Sequence, residues 1–414
     1  MRPLAALVLL CAACDGRIDD MVVPAEPPPA PTRIDGALTT GSTPARSELA
    51  PLEPGLLLGL ASGALHVAGA ETLYRFDRET STFTAVPVGE VGESMRTGPV
   101  RHLARRSAGL FVVAEGGIFH DAMGRLLRSP LSQNISAVDV RALDDLGEGA
   151  DEELWLTTTD GVDRVRAGVK TRVDLSMSGA LLAPDLAAAV ESGKGLVLSN
   201  GNLFSVDLGA RTAKWEAQGV PAVNAVARGD DGTLYLATTK GLWSRTRTGV
   251  VNVYSFAAAG EEPKAVADVT TAFGEVLVAV DGQVAELTHA GAAGFGALAS
   301  PKAKGIARDA NGDTFVLDGP KLVKLATGRA VSFEADVKPF MVQHCTRCHT
   351  TGAEYSPVFD LASYAVVSEP AFNAKVIQRL TANGRGPMPP PDVEVLTSSD
   401  YAVVLRWVAG GMQP

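Results

Sequence analysis

The stretch that decides the fold is Val223-Asn-Ala-Val-Ala-Arg-Gly-Asp-Asp-Gly-Thr-Leu-Tyr-Leu-Ala-Thr-Thr-Lys-Gly-Leu-Trp243. It reads as a strand, an Asp-Gly turn, a second strand, a Lys-Gly turn and a third strand, because short apolar runs alternate with residues that tolerate tight turns. A fourth strand follows from Val250 to Phe256. The middle of this unit returns at Glu153-Leu-Trp-Leu-Thr-Thr-Thr-Asp-Gly-Val162. Weaker copies stand at Gly63–Ala68, Gly109–Ala114, Lys194–Ser199, Gly274–Ala279 and Gly312–Leu317, at a spacing of very roughly 40 residues. Each copy is expected to be the second strand of a four-stranded sheet. Seven such sheets arranged radially bury their faces against one another, which is the architecture of a β-propeller. Trp155, Trp215 and Trp243 are expected to pack between blades.

The units resemble the β-propeller repeats found beside bacterial signalling domains, most closely in Leu234-Tyr-Leu-Ala-Thr-Thr-Lys-Gly-Leu242. The resemblance implies a fold and no activity, since propellers host many functions. The same middle region offers little chemistry. His66, His102, His120 and His289 fall in different units, and the plainer reading is that they are ordinary strand or surface residues rather than a metal or second-haem cluster in a central channel. The acidic run Asp139, Asp144, Asp145, Glu148, Asp151, Glu152 and Glu153 lacks the alternation of a calcium loop and reads as a solvated hairpin.

The chain has 414 residues, enough for two or three domains, and 46% of them are hydrophobic. Its formal charge of -10 argues against nucleic acid as a partner, since phosphate binding needs a basic surface. At the N-terminus one arginine precedes the apolar run Leu4–Leu10, which ends in small residues. This is the pattern of an export signal, too short to span a bilayer. Its end, Ala12-Ala13-Cys14, resembles a bacterial lipobox. That resemblance implies lipidation of Cys14 and membrane anchoring through the lipid, although Cys11 stands where the family usually has leucine. The expected location is the bacterial cell envelope, as a periplasm-facing or outer-surface lipoprotein, with a soluble periplasmic protein as the alternative. The organisation expected is a signal over 1–14, a proline-rich tether over 15–52, the propeller over 53–331 and a small all-α domain over 332–414.

The last of these carries the one stretch that names a chemistry, Cys345-Thr-Arg-Cys348-His349. Two cysteines two residues apart, with histidine directly after, read as a covalent haem attachment site: two thioether bonds, and an imidazole beneath the iron. A zinc site would need a second ligand pair, and with Cys11 and Cys14 at the terminus no further cysteine exists among the four. Around the motif the hydrophobic period changes to that of helices. Ser332 caps a helix with Phe333, Val337, Phe340 and Met341 on one face, with Pro339 in or near its first turns. Further helical signals run over Asp360–Val366 and Phe372–Leu380. Thr397 or Ser398 caps a last helix bearing Tyr401, Val404, Leu405 and Val408, which Gly410-Gly411 stops. Met388 lies among prolines 39 residues after His349 and is the expected sixth ligand of the iron. His344 is expected outside the iron shell, and Arg385 faces a haem propionate or solvent.

These features resemble a class I monohaem cytochrome c. The matching residues are Phe333, Val337 and Pro339, the Cys345–His349 motif, Leu361 and Tyr364, Met388-Pro-Pro390, and Leu396, Asp400, Leu405-Arg-Trp407 and Gly410-Gly411. The resemblance implies one covalent haem c, low-spin iron ligated by His349 and Met388, and Phe340, Tyr401 and Trp407 as residues packing on the porphyrin. The loop Thr350–Phe359 departs from the glycine-rich form of many relatives. The first reading is therefore an electron-transfer protein whose propeller docks a redox partner, itself unidentified. The second is a fusion oxidoreductase whose propeller oxidises an unknown substrate, although the chain lacks an adjacent cysteine pair and is short for an eight-bladed quinoprotein. The third is a binding module with the haem as a redox or gas sensor.

Overall fold

The structure is a computed structural model. It describes residues 30–414 apart from 41–44, 50–56, 62–63, 70, 90–96, 107–108, 123, 130–139, 147–152, 159–160, 167–168, 174–183, 247–248, 289–290, 298–302, 320, 327, 350–359, 382–387, 391–392, 395 and 397–399. Cys14 and the signal over 1–14 lie outside the described residues, as do His289, Arg385 and the loop 350–359.

The unit beginning at Val223 folds as its sequence predicts: Val223–Arg228, Leu234–Thr238, Gly241–Arg245 and Val251–Tyr254 form an antiparallel meander. Six further sheets of the same kind give seven blades among the described residues. In chain order they cover 57–85 (blade 1), 100–128 (2), 140–173 (3), 184–218 (4), 223–254 (5), 266–297 (6) and 304–326 (7). The first strands of neighbouring blades lie against one another in every seam but that of blades 4 and 5, which meet through an apolar cluster, and those of blades 7 and 1 do so too, so the ring is closed.

The seams explain the sequence pattern. Seven apolar clusters sit between the blades, each drawing residues from two neighbours. A second strand therefore buries both faces, and Glu153–Thr158, Leu234–Thr238 and Thr314–Asp318 are buried at every position. Each fully buried Leu, Val or Phe contributes roughly 1.5–3 kcal/mol relative to exposure. Trp155 and Trp243 belong to two of these clusters and Trp215 packs on one, as expected. Polar bridges add direction. Asp268 of blade 6 accepts from Gly305 and Ile306 N–H of blade 7 at 2.6 and 3.0 Å. Arg308 of blade 7 reaches Glu275 and Glu286 of blade 6 at 2.7 and 2.9 Å.

Two expectations are corrected. The tether expected over 15–52 is no free linker at Thr32–Ile34, Thr39–Thr40 and Ala45–Glu48. Thr32–Ile34 adds a parallel fifth strand to blade 5, Thr39–Thr40 adds one to blade 6, and Ala45–Glu48 pairs antiparallel with Lys321–Ala326 as the outer strand of blade 7. The physical reason is that blade 7 has only three strands of its own and an outer edge of unpaired backbone, which the N-terminal segment satisfies. The other correction concerns Glu153. It is not part of a solvated loop: its side chain is 1% exposed and joins blades 3 and 4.

After the ring the chain turns helical. A single π-helical turn, Phe333–Val337, is capped by Ser332 Oγ accepting from Ala335 N–H. It runs into α1 (Lys338–His344), where Pro339 occupies the first turn, the place that tolerates its missing N–H. Then come α2 (Tyr364–Val367), α3 (Pro370–Leu380) and α4 (Ala402–Ala409). Tyr401, rather than Thr397 or Ser398, occupies the N-cap position of α4. Phe333, Val337, Phe340, Met341, Val367, Tyr401, Val404 and Trp407 form one core. This helical unit rests on the propeller through α4. Leu405 and Ala409 pack on Phe273 and Ala310, and Arg406 Nε donates to Ala310 O at 3.4 Å. Those propeller residues lie in the turns between first and second strands of blades 6 and 7, which fixes the face of the ring that carries the helices.

Candidate functional site

The Cys345–His349 motif begins at the C-terminal end of α1. The backbone keeps turning past the helix: Cys345 and Thr346 N–H both donate to Met341 O at 2.9 and 3.0 Å. Cys348 and His349 N–H donate to Cys345 O at 3.1 and 3.0 Å, and Thr346 Oγ1 donates to Val342 O at 3.0 Å. His349 O accepts from Leu361 N–H at 3.2 Å, which ties the motif to the start of the α2 segment. The motif is thus a closed helical turn and not an extended loop. Cys345 and Cys348 are unbridged and half-buried, and His349 is half-buried. Burial, reinforced by the charge of Glu394, pushes the Cys345 thiol up to about 11.

Met388 lies after α3, where its N–H donates to Arg379 O at 3.2 Å. Its side chain is 41% exposed. The chain then forms a turn in which Pro390 O accepts from Val393 and Glu394 N–H at 2.9 and 3.1 Å. Glu394 Oε1 lies 2.9 Å from His344 Nδ1, next to Cys345. The segment carrying Met388 is therefore held at one end by α3 and at the other by His344, the residue preceding Cys345. Glu394 is the residue that sequence reading missed: it stands 50 positions from His344 with no pattern linking them. His344 also stacks on Phe340, with ring centroids 4.8 Å apart.

The three aromatic candidates have distinct surroundings. Phe340 lies at the edge of the helical core beside His344. Trp407 is fully enclosed, with Phe333 at 5.6 Å and Tyr364 at 6.3 Å between ring centroids, and its Nε1 donates to Gln413 O at 2.6 Å. Tyr401 is buried toward the propeller. Burial, together with the charges of Asp231 and Asp230, raises its phenol above the usual range. The structure thus places Phe340 nearest the motif and gives Tyr401 and Trp407 neighbours in the core and at the seam.

His66 is buried in blade 1 with Nδ1 3.1 Å from Ala64 O, and burial lowers its basicity. His102, in blade 2, is likewise lowered by burial. Among the described residues no group of three or more His, Cys, Asp or Glu side chains is gathered as a metal site requires. No described helix is long and apolar enough to cross a membrane.

No family model matches this chain, and no curated protein matches it. Solved structures do. The chain is similar to the extracellular domain of the putative hybrid two-component system BT3049 from B. thetaiotaomicron, at 15% identity and a TM-score of 0.51 over 70% of this chain and 42% of that one. It is similar to a streptogramin B lyase at 16% identity and a TM-score of 0.51, over 68% of this chain and 97% of that one. The extracellular domain of BT4673 from the same organism gives 11% identity and a TM-score of 0.51, over 70% and 40%. The chain thus spans less than half the length of the two B. thetaiotaomicron domains. These likenesses define the fold class, a β-propeller.

Proposed function

We propose that this protein is an exported electron carrier that holds one covalent haem c in its C-terminal helical unit, with the propeller as its partner-docking body. The observation that carries this reading is the motif Cys345-Thr-Arg-Cys348-His349 on a closed helical turn, with both thiols unbridged and half-buried. The donor set fits the group. Cys345 and Cys348 would carry the thioether attachment, and the half-buried His349 imidazole and the Met388 thioether would hold the iron. When bound, the haem supplies reversible one-electron exchange. The chain's own residues would anchor it through Cys345 and Cys348, orient it through the turn fixed by Met341 and Cys345 carbonyls, and shield it with Phe340. Val342, three residues before the motif, and Met388 and Val393, on the segment that Glu394 ties to His344, are large apolar side chains left exposed, which suits an apolar neighbour. Bacterial extracellular domains among the fold neighbours support an envelope location, where haem of this kind is attached. Lipidation of Cys14 belongs to the same proposal.

A second reading, the haem as a redox or gas sensor, draws on the exposure of Met388, whose backbone N–H is tied to Arg379 O of α3. One preparation separates the readings. Protein secreted from a host with haem-attachment machinery is expected to gain the mass of one haem and to show the far-red band of methionine-ligated ferric haem. Cys345→Ser and Cys348→Ser are expected to weaken or abolish attachment, and Met388→Ala to remove the band. A mature chain whose mass equals the bare polypeptide would overturn the proposal. Rapid binding of carbon monoxide by the unaltered protein would favour the sensor.

A further inference from the structure

The seam between blades 4 and 5 changes character along its length. At one end Leu196, Leu198 and Leu203 of blade 4 meet Trp243 and Val253 of blade 5 in a continuous apolar cluster. At the other end the register sets Lys194 opposite Asp207, Asp207 opposite Thr212, and Ser205 opposite Lys214, all on the face toward blade 5. There the sheets part and leave a cavity of ≈ 380 Å³ lined by Lys194, Ser205, Asp207, Thr212, Lys214 and Arg245. Apolar strand faces pack shut, so a polar, cationic gap inside a propeller seam requires a reason.

The donors supply one. Arg245 of blade 5 is mostly buried; Glu216 takes its Nη2 at 3.0 Å, while its Nε is buried with no hydrogen-bond partner. Trp243, two residues earlier and on the same strand face, is 6% exposed, and its Nε1 is likewise buried without a partner. Buried donors are almost always satisfied, so the unpartnered Nε of Arg245, on a side chain that lines the groove, points to an acceptor from outside the chain, whereas Trp243 belongs to the apolar end of the seam. Lys194 and Lys214 add positive charge at the mouth. Lys194 is 3.8 Å from Asp207 and Arg245 is 3.0 Å from Glu216, so among the described residues Lys214 is the lining cation with no carboxylate against it, and Arg245 keeps one unused donor in its Nε. The concentration of cations stands out in a chain of net charge -10.

We infer that this groove binds a small anion bearing carboxylate or phosphate groups, with Arg245 and Lys214 as its principal partners and Lys194 as support. Guanidinium and ammonium donors recognise both groups through charge-assisted hydrogen bonds. The groove opens beside the turn at Ser192-Gly193, between the first and second strands of blade 4. This is the face that carries α4, and the corresponding turn of blade 5, Asp230-Asp231, is the one whose charges act on Tyr401. A bound anion would therefore sit on the same face of the ring as the helical unit. The inference does not depend on the haem.

The test is calorimetric titration of the full chain with citrate and, separately, inorganic phosphate, at constant ionic strength set by chloride. Saturable one-to-one binding of either anion is expected, with citrate alone defining a carboxylate site and phosphate alone a phosphate site. The double variant Lys194→Gln/Lys214→Gln changes exposed residues and keeps the fold, and it is expected to weaken binding about tenfold or more. Arg245→Gln is expected to weaken it further. Absence of saturable binding by both anions, or equal affinity in the parent and the double-lysine variant, would overturn the inference.

Discussion

Glu153 offers the sharpest quantitative test of how the ring is held. Its carboxylate accepts from Trp155 Nε1 at 2.8 Å, Arg164 Nη2 at 2.7 Å, Ser192 Oγ at 3.1 Å and Gly193 N–H at 3.0 Å, joining blade 3 to the first turn of blade 4. Burial alone would raise its pKa, but the Arg164 guanidinium, the Gly193 amide and the Trp155 indole overcome that and hold it at about 2, from an ordinary 4.5. A folded-state pKa below the unfolded one stabilises the protein above the unfolded value, and the stability is lost as pH falls through the folded value. The shift corresponds to about 3 kcal/mol at neutral pH and about 1.5 kcal/mol at pH 3. Glu153→Gln keeps the acceptor for Trp155 but removes the charge. Urea unfolding of parent and variant at pH 7 and pH 3 isolates this one group, since every other carboxylate titrates in both. The stability difference is expected to shrink by roughly half between the two pH values. A pH-independent difference, or one well under 1 kcal/mol at neutral pH, would refute the assignment of Glu153 as an ionised clamp.

Other tests reach different parts of the molecule. Gly241→Ala places a Cβ 2.7 Å from Tyr254 O at φ +88°, whereas Gly282→Ala meets no atom within 4 Å at φ +70°. The second should cost about 1 kcal/mol from backbone conformation, and the first distinctly more, as read by thermal melting. Arg308→Met leaves Glu275 and Glu286 without their shared cation and should destabilise the ring by about 3 kcal/mol at pH 7, with partial recovery at acid pH where the carboxylates are neutral. Glu394→Ala cuts the link to His344 and should speed amide exchange of the segment after Met388 about threefold to tenfold while exchange in α4 stays unchanged.

Much of the ring was legible because its second strands are buried on both faces, which writes a run such as Leu234-Tyr-Leu-Ala directly into the sequence. The Asp-Gly and Lys-Gly turns around it supply the register. The N-terminal strands were not legible. Thr32–Ile34 is exposed at every position and joins its blade through backbone alone, so it carries no apolar signature. Prolines nearby then suggest a linker. Glu153 was hidden for the opposite reason: its sequence neighbours are acidic, and only the fold shows that the strand carries it into a seam. In the helical unit the attachment motif is local and therefore readable, as are the apolar faces of α1 and α4. The His344–Glu394 link and the place of Tyr401 against Asp230 and Asp231 depend on tertiary packing and have no local signal.

The strand Ala45–Glu48 in blade 7 has a consequence for the order of events during folding. Its partner, Lys321–Ala326, is made about 280 residues later. Closing a loop of about 280 residues costs roughly 5 kcal/mol of chain entropy before the pairing returns anything. Blades 1 to 6 can each form from contiguous chain, but the circle is completed only when both ends of the propeller are present. Zipping of this strand is therefore the late, slow step of assembly, and its release is the natural first step of unfolding. The same event fixes the base on which α4 rests, so the helical unit gains its seat only after the ring has locked.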